Sequence, residues 1–176
     1  MATDKKTVAV VMGSESDMEV MAGCIEQLKE FGIDPVVRVI SAHRTPKQAC
    51  DFAQNAAKSG IKVIIAAAGM AAHLAGAMAS NTTLPVIGVP VAAKEGLQGI
   101  DALLSTVQMP PGVPVASMAI GKPGAKNAAI LAVQILALSD QALAKKMSDF
   151  KDSLEKKVFD QDSMIQKKVA DNKRKI

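Results

Sequence analysis

The sequence predicts an α/β fold, a three-layer sandwich around a five-stranded parallel sheet, followed by a helical C-terminal extension. Two observations predict the sheet and one the extension. Short apolar runs rich in Val and Ile alternate with stretches of helical periodicity across brief connections, the pattern of strand–helix–strand units with helices on both faces. The first run, Val8–Val11, is continuously apolar, as a strand buried on both sides is. After Asp140 the composition turns lysine-rich while the helical spacing persists.

Val8–Val11 opens the fold as a fully buried strand. A helix from Asp17 to Phe31 follows, with Met18, Met21, Ala22, Ile25 and Leu28 on one face, and Gly32 ends it. The second strand is Val36–Ile40. It leads to a helix from Pro46 to Ser59 that turns Ala49, Phe52, Ala53 and Ala56 inward and stops at Gly60. Val63–Ala67 is the third strand, with a short Ala-rich helix reaching Ser80. Pro85–Val89 is the fourth, followed by a helix near Leu97–Val107. Val113–Met118 is the fifth, followed by an apolar helix over Ala125–Leu138. Five strands with intervening helices fit a flavodoxin-like arrangement better than a six-stranded dinucleotide fold. Residues 1–140 form this domain. In 141–176, Leu143, Met147, Phe150 and Leu154 make an apolar stripe with no partner inside a five-stranded core, so it is expected to pack on a neighbouring subunit. A marginal helix is expected over 160–176, fraying at its end.

Composition excludes several classes of function. Hydrophobic residues make up 49% and aromatics 2%, with no Tyr or Trp, so base-stacking nucleic-acid platforms are missing. Residues 1–140 carry eleven basic and eleven acidic side chains, and the net charge of +4 belongs to the tail, whose alternating charges read as a solvated helix face. Cys24 and Cys50 lack metal-ligand or redox spacing and read as small hydrophobes. Neither a secretory h-region nor a membrane-spanning apolar stretch is apparent, and a soluble cytoplasmic protein is expected.

Three polar segments follow the first three strands: Gly13–Asp17, Ser41–Pro46 and Gly69–Leu74. Ligands of open parallel sheets sit beyond the carboxyl ends of the strands, so the three segments read as one site. In the first, Ser16 with Glu19 fits a helix-capping box. A helix start there also offers free amides to a phosphate, with Gly13 permitting close approach, Ser14 and Ser16 adding hydroxyls, and Asp17 accepting from sugar hydroxyls. In the second, Thr45, Pro46 and Gln48 read as a helix cap, which leaves Ser41, His43 and Arg44 unexplained. Arg44 offers a fork suited to phosphate, and His43 exchanges protons near neutrality. In the third, Gly69, Met70, Ala71, Ala72, His73 and Leu74 suit close approach to a flat ligand, with His73 either a ligand contact or a structural histidine. No metal site is expected, because the two histidines lack a third donor at recognisable spacing. Gly121-Lys122 lacks the context of a nucleotide-binding loop.

These segments, together with Leu84–Val91 (LPVIGVPV), Ser105–Pro110 (SxVQMP) and Ala119–Ala132 (AIGKxGAxNAAxLA), resemble the phosphoribosylaminoimidazole carboxylase catalytic-subunit family over about Val8 to Asp140. The resemblance implies a homo-octamer of flavodoxin-like subunits acting in de novo purine synthesis on a phosphoribosyl aminoimidazole, with no metal or nucleotide cofactor. By motif position it implies Ser14, Asp17 and Arg44 as substrate contacts, Ser16 and Ser41 around the phosphate, His43 as the acid/base, and Gly69–Leu74 over the imidazole. SAHR and AAHL resemble the class that rearranges the N5-carboxylated substrate, not the class that fixes free carbon dioxide. Met70 and Ala75 depart from the Gly and Pro usual in the family. Two other readings remain open: a non-catalytic sensor of a phosphorylated ligand, which has no need of His43, and a sugar-phosphate isomerase, for which only Asp17 offers a carboxylate base.

Overall fold

The computed structural model describes residues 7–94 and 96–173. Five strands, β1 (Val8–Met12), β2 (Val36–Val39), β3 (Val63–Gly69), β4 (Val86–Val91) and β5 (Ala116–Ser117), form one all-parallel sheet in the order β2-β1-β3-β4-β5. This is the flavodoxin-like order, and it reverses direction between β1 and β3. The helices are α1 (Met18–Glu30), α2 (Pro46–Ala56), α3 (Leu74–Ala79), α4 (Ile100–Val107), α5 (Lys122–Ala137) and α6 (Gln141–Lys173), with a 3-10 turn at Glu15–Asp17 before α1.

Strand periodicity divides the core into two layers. Ala9, Val11, Ile64 and Ala66 face one side and pack with Ala49, Ala53 and Ala56 of α2 and Leu74, Ala75 and Met78 of α3. Val8, Val10 and Ile65 point the other way and are equally buried, as are Met21, Cys24 and Leu28 of α1 and Ala125, Ala129 and Val133 of α5. Small residues on the helices let them approach the sheet closely, so a core without Tyr or Trp still fills. Burial pushes the Cys24 thiol up to about 12, and both cysteines are free. β2 is an edge strand, with Val37 and Val39 partly exposed on either side of Arg38.

The elements differ from expectation at their boundaries. The buried face of α1 runs through Met21, Cys24, Gln27 and Leu28, while Met18 is exposed. α2 ends at Ala56, three residues short, in a turn that closes at Gly60. α4 starts at Ile100 because Gln98 and Gly99 take positive φ and break the helical path. β5 keeps only two residues, since Pro114 has no amide for the ladder. Gly124 sits in the first turn of α5 with its Cα against the Ala119 carbonyl, where a Cβ would lie 1.6 Å from the oxygen. That contact gives the Gly-Lys region a packing role.

The chain divides into two compact units, Met1–Leu136 and Ala137–Ile176. In the second, a single helix, α6, replaces the two expected segments; no Gly or Pro interrupts 141–173, and Lys145 pairs with Asp149 one turn on. In the first part of the expected stripe Met147 is buried and Leu143 and Phe150 are half-buried. Leu154 is 43% exposed, and Val158, Ile165 and Val169 continue the same face in the open. The expected fraying beyond Lys173 lies outside the described residues, as does the N-terminal segment before Thr7. Among the described residues no helix is long and apolar enough to cross a membrane.

Candidate active site

The loops after β1, β2 and β3 meet at the carboxyl end of the sheet, where strand order reverses, around a cleft of about 550 Å³. Gly13, Ser14, Ser16 and Asp17 enter from the first loop, Ser41, His43 and Arg44 from the second, and Gly69, Met70, Ala71, His73 and Leu74 from the third. Ala72 does not line the cleft; it is buried beneath the third loop. Three alanines complete the wall: Ala42, Ala68 and Ala93. An alanine carries no chemical signal in sequence. Ala93 was still within reach of strand-end reasoning, because it lies just past β4.

In the first loop the capping box forms two residues earlier than Ser16 and Glu19 indicated. Ser14 is the cap; its hydroxyl accepts from the Ser16 amide at 3.4 Å, and its own amide donates to Asp17 Oδ2 at 3.1 Å. The Ser16 hydroxyl lies 3.0 Å from that of Ser14, and the Gly13 amide donates to the Ala67 carbonyl of β3. Asp17 is buried at 6% exposure. Burial raises its pKa, opposed by the amides of Ser14 and Gly13. A Cβ on Gly13 would meet only ordinary contacts, so packing does not require this glycine. A Cβ on Gly69, by contrast, would lie 2.9 Å from the Val91 carbonyl.

In the second loop Thr45 precedes α2 without capping it. Its hydroxyl turns back to Ser41, accepting from that amide at 3.1 Å and donating to that carbonyl at 3.0 Å, so the expected box with Gln48 does not form. The Arg44 amide donates to Ser41 Oγ, and an Arg44 guanidinium nitrogen donates to the Gly13 carbonyl at 3.2 Å, tying the second loop to the first. Among the described residues, Arg44 is the one Lys or Arg lining the cleft and Asp17 the one carboxylate.

The third loop resolves the position of His73. It precedes α3 without a side-chain cap bond, and its Nδ1 lies 2.6 Å from Nε2 of His43, with the rings edge to face at 4.8 Å between centroids. One nitrogen must donate and the other accept, so the two tautomers are coupled. The arrangement leaves Nδ1 of His43 with no hydrogen-bond partner among the described residues. Thirty residues separate the pair in sequence, and only the pairing of β1 with both β2 and β3 brings their loops together. Met70, beside them, holds φ at 55°.

Among the described residues no group of three or more His, Cys, Asp or Glu side chains is placed to hold a metal ion. A second, more open cleft of about 660 Å³ lies over Arg38, Lys47 and Phe52 and shares Arg44 with the first. It contains neither histidine nor Asp17, both of which line the smaller cleft.

A family model described as AIR carboxylase matches residues 7–157. The N5-carboxyaminoimidazole ribonucleotide mutase of Saccharolobus solfataricus is 56% identical over 151 residues, covering 86% of this chain and 94% of the relative. The protein of the same name in Bacillus subtilis is 50% identical, covering 87% and 94%. A crystal structure of Treponema denticola PurE superposes with a TM-score of 0.79 at 30% identity, covering 89% of this chain and 96% of that one.

Proposed function

Because the chain belongs to the AIR carboxylase family, we propose that it is a mutase of de novo purine biosynthesis, converting N5-carboxyaminoimidazole ribonucleotide to 4-carboxy-5-aminoimidazole ribonucleotide. The observation that carries this reading is the joining, in one cleft, of an anion-binding end to a hydrogen-bonded histidine pair. The phosphate sits among the hydroxyls of Ser14, Ser16 and Ser41 and the Arg44 fork, which the Gly13 carbonyl and Ser41 already hold in place. Asp17, anchored by the Ser14 amide, accepts from the ribose hydroxyls. The third loop covers the imidazole.

His43 carries the proton transfers. It protonates the carbamate nitrogen as the N–C bond breaks, giving aminoimidazole ribonucleotide and carbon dioxide. The ring carbon then attacks the retained carbon dioxide, and His43 takes the ring proton to restore aromaticity. Atoms balance, and no electrons enter or leave. His73 acts as a positioning residue that holds the tautomer of His43 through the 2.6 Å contact. General acid–base catalysis supplies ~10²–10⁴-fold, so retention and orientation of carbon dioxide supply much of the remainder. Identifying the product after incubation with N5-carboxyaminoimidazole ribonucleotide tests the reading. Recovery of 4-carboxy-5-aminoimidazole ribonucleotide above the enzyme-free control is expected; binding without turnover favours a sensor.

Residues 1–140 constitute the catalytic domain in this proposal, and 141–176 an extension that packs copies of this cytoplasmic enzyme into a homo-octamer. The exposed row Leu154, Val158, Ile165 and Val169 supports self-association, since such a face is seldom left in water. Truncation after Asp140 is expected to lower the oligomer mass or cause aggregation, as read by light scattering. A soluble oligomer of unchanged stoichiometry would remove the extension from the assembly.

A further inference from the structure

The more open of the two clefts, of about 660 Å³, has Arg44 in its wall together with Arg38, Lys47 and Asp51, three cations against one carboxylate. Residues 1–140 carry equal numbers of basic and acidic side chains, so this excess is a local arrangement and does not reflect the charge of the unit. The fold alone favours neither Arg38 nor Lys47 where it stands. Val36, Arg38 and Ile40 share one face of β2. Val36 and Ile40 join the core there with the alanines of α2, while Arg38 between them is charged and exposed. Lys47 stands in the first turn of α2, where a cation opposes the helix dipole, and no acidic residue accompanies it in that turn. Neither side chain has a hydrogen-bond or ion-pair partner among the described residues, so both charges are open to solvent. A charge on an edge strand also deters strand addition. That accounts for Arg38 alone, not for Lys47 on another element beside the same cleft.

We infer that Arg38 and Lys47 form an electrostatic vestibule that collects the phosphorylated substrate and passes its phosphate to Arg44. The inference rests on the mutase reading and adds a capture step to it. N5-carboxyaminoimidazole ribonucleotide carries a phosphate and a carboxylate, so it arrives as a multiply charged anion. The field of three clustered cations raises its local concentration at the mouth and speeds encounter. Arg44 lines both clefts, and its guanidinium is tied to the Gly13 carbonyl and the Ser41 hydroxyl at the inner one. A phosphate drawn toward Arg38 and Lys47 is therefore already beside the group that holds it during reaction. Asp51, on the same wall, disfavours a resting place for the phosphate there. Arg38 and Lys47 act at a distance and need no contact with the bound substrate.

The test uses the full chain, with kcat and kcat/KM for N5-carboxyaminoimidazole ribonucleotide measured across ionic strength. The Debye length falls from roughly 30 Å at about 0.01 M to roughly 3 Å at about 1 M, so steering operates at the low end and is screened at the high end. The double variant Arg38→Gln, Lys47→Gln is expected to lose several-fold in kcat/KM at low salt with kcat unchanged, and to converge on wild type at high salt. The charge-preserving pair Arg38→Lys, Lys47→Arg is expected to match wild type, because a field needs the charge and not the shape. Lys58→Gln, Lys62→Gln removes the same charge just past α2 and just before β3, at the opposite end of the sheet, and is expected to lose much less. A loss that persists at high salt would mean direct contact with bound substrate. A loss matched by the Lys58 and Lys62 pair would mean net charge alone. Either result overturns the inference, as does no loss at all, and each leaves the mutase reading intact because wild type still turns over. Absence of turnover in wild type would instead sink that reading, and the vestibule with it.

Discussion

The loops after β1 and β3 line the same cleft but are built on opposite terms. The first satisfies itself: the Ser14 amide reaches Asp17, the Ser16 hydroxyl reaches Ser14, and the Gly13 amide reaches Ala67. The third leaves Met70 at positive φ and His73 without a cap bond, and its one side-chain hydrogen bond among the described residues crosses to His43. A self-satisfied loop is already in its binding geometry and loses little freedom when a ligand arrives, which suits an anchor. A loop under strain and hydrogen-bonded to a histidine of the neighbouring loop suits the reacting end. Anchoring and chemistry are thereby separable, and substitutions can test that separation.

The largest effect is expected at the reacting end. His43→Asn should lower kcat by ~10²–10⁴-fold with substrate affinity nearly intact, measured by single-turnover kinetics beside equilibrium titration. Lost affinity with normal turnover would erase the division between the loops.

Arg44→Ala should do the reverse, weakening binding by about 1.5–3 kcal/mol, the scale of hydrogen bonds to a charged group. Lysine should restore only part, because it lacks the guanidinium fork. Calorimetry with the dephosphorylated nucleoside sharpens the point. If nucleoside and nucleotide bind equally well, the anchor is elsewhere.

The smallest effect is expected at Asp17, and part of it is a gain. Burial raises its pKa, so the fold favours the neutral carboxyl over the charged one. That preference stabilises the protein below the carboxyl's unfolded pKa and is lost as pH rises through its raised native value. Asp17→Asn, whose carbonyl oxygen still accepts from Ser14, should be at least as stable as wild type at neutral pH, with a flatter profile from pH 4 to 7. It should also bind the ribonucleotide more weakly. Denaturant midpoints across that range decide the matter; a variant less stable at pH 7 would show that the amides of Ser14 and Gly13 outweigh burial.

Much of this division was legible in the sequence, because it is local. Strands rich in Val and Ile, followed by Ser, His, Arg and Gly, place three loops at the carboxyl end of the sheet whatever the strand order. Residues that touch nothing distant were harder to place to within a residue or two. Ser16 with Glu19 satisfies the capping pattern as well as Ser14 with Asp17 does, and the choice falls to Asp17 because its carboxylate is buried near the Gly13 and Ser14 amides. Thr45 looked like a cap for the same reason, until Ser41 proved the nearer partner for its hydroxyl. The contact between His43 and His73 had no local signature. It depends on β1 lying between β2 and β3, a fact of tertiary packing that neither segment encodes alone.

That central position of β1 has a consequence for folding. Its ladder to β2 and its ladder to β3 must both close before the three loops come within reach of one ligand. A partly folded chain with either ladder open retains fragments of the cleft but no complete binding surface. On the proposed function, a substrate that needs all three loops binds only the finished sheet, and by mass action it would shift the folding equilibrium toward it. At a free ligand concentration of 100 times Kd the shift is about 2.7 kcal/mol. A ligand of this cleft would in this sense be a folding cofactor for the first unit.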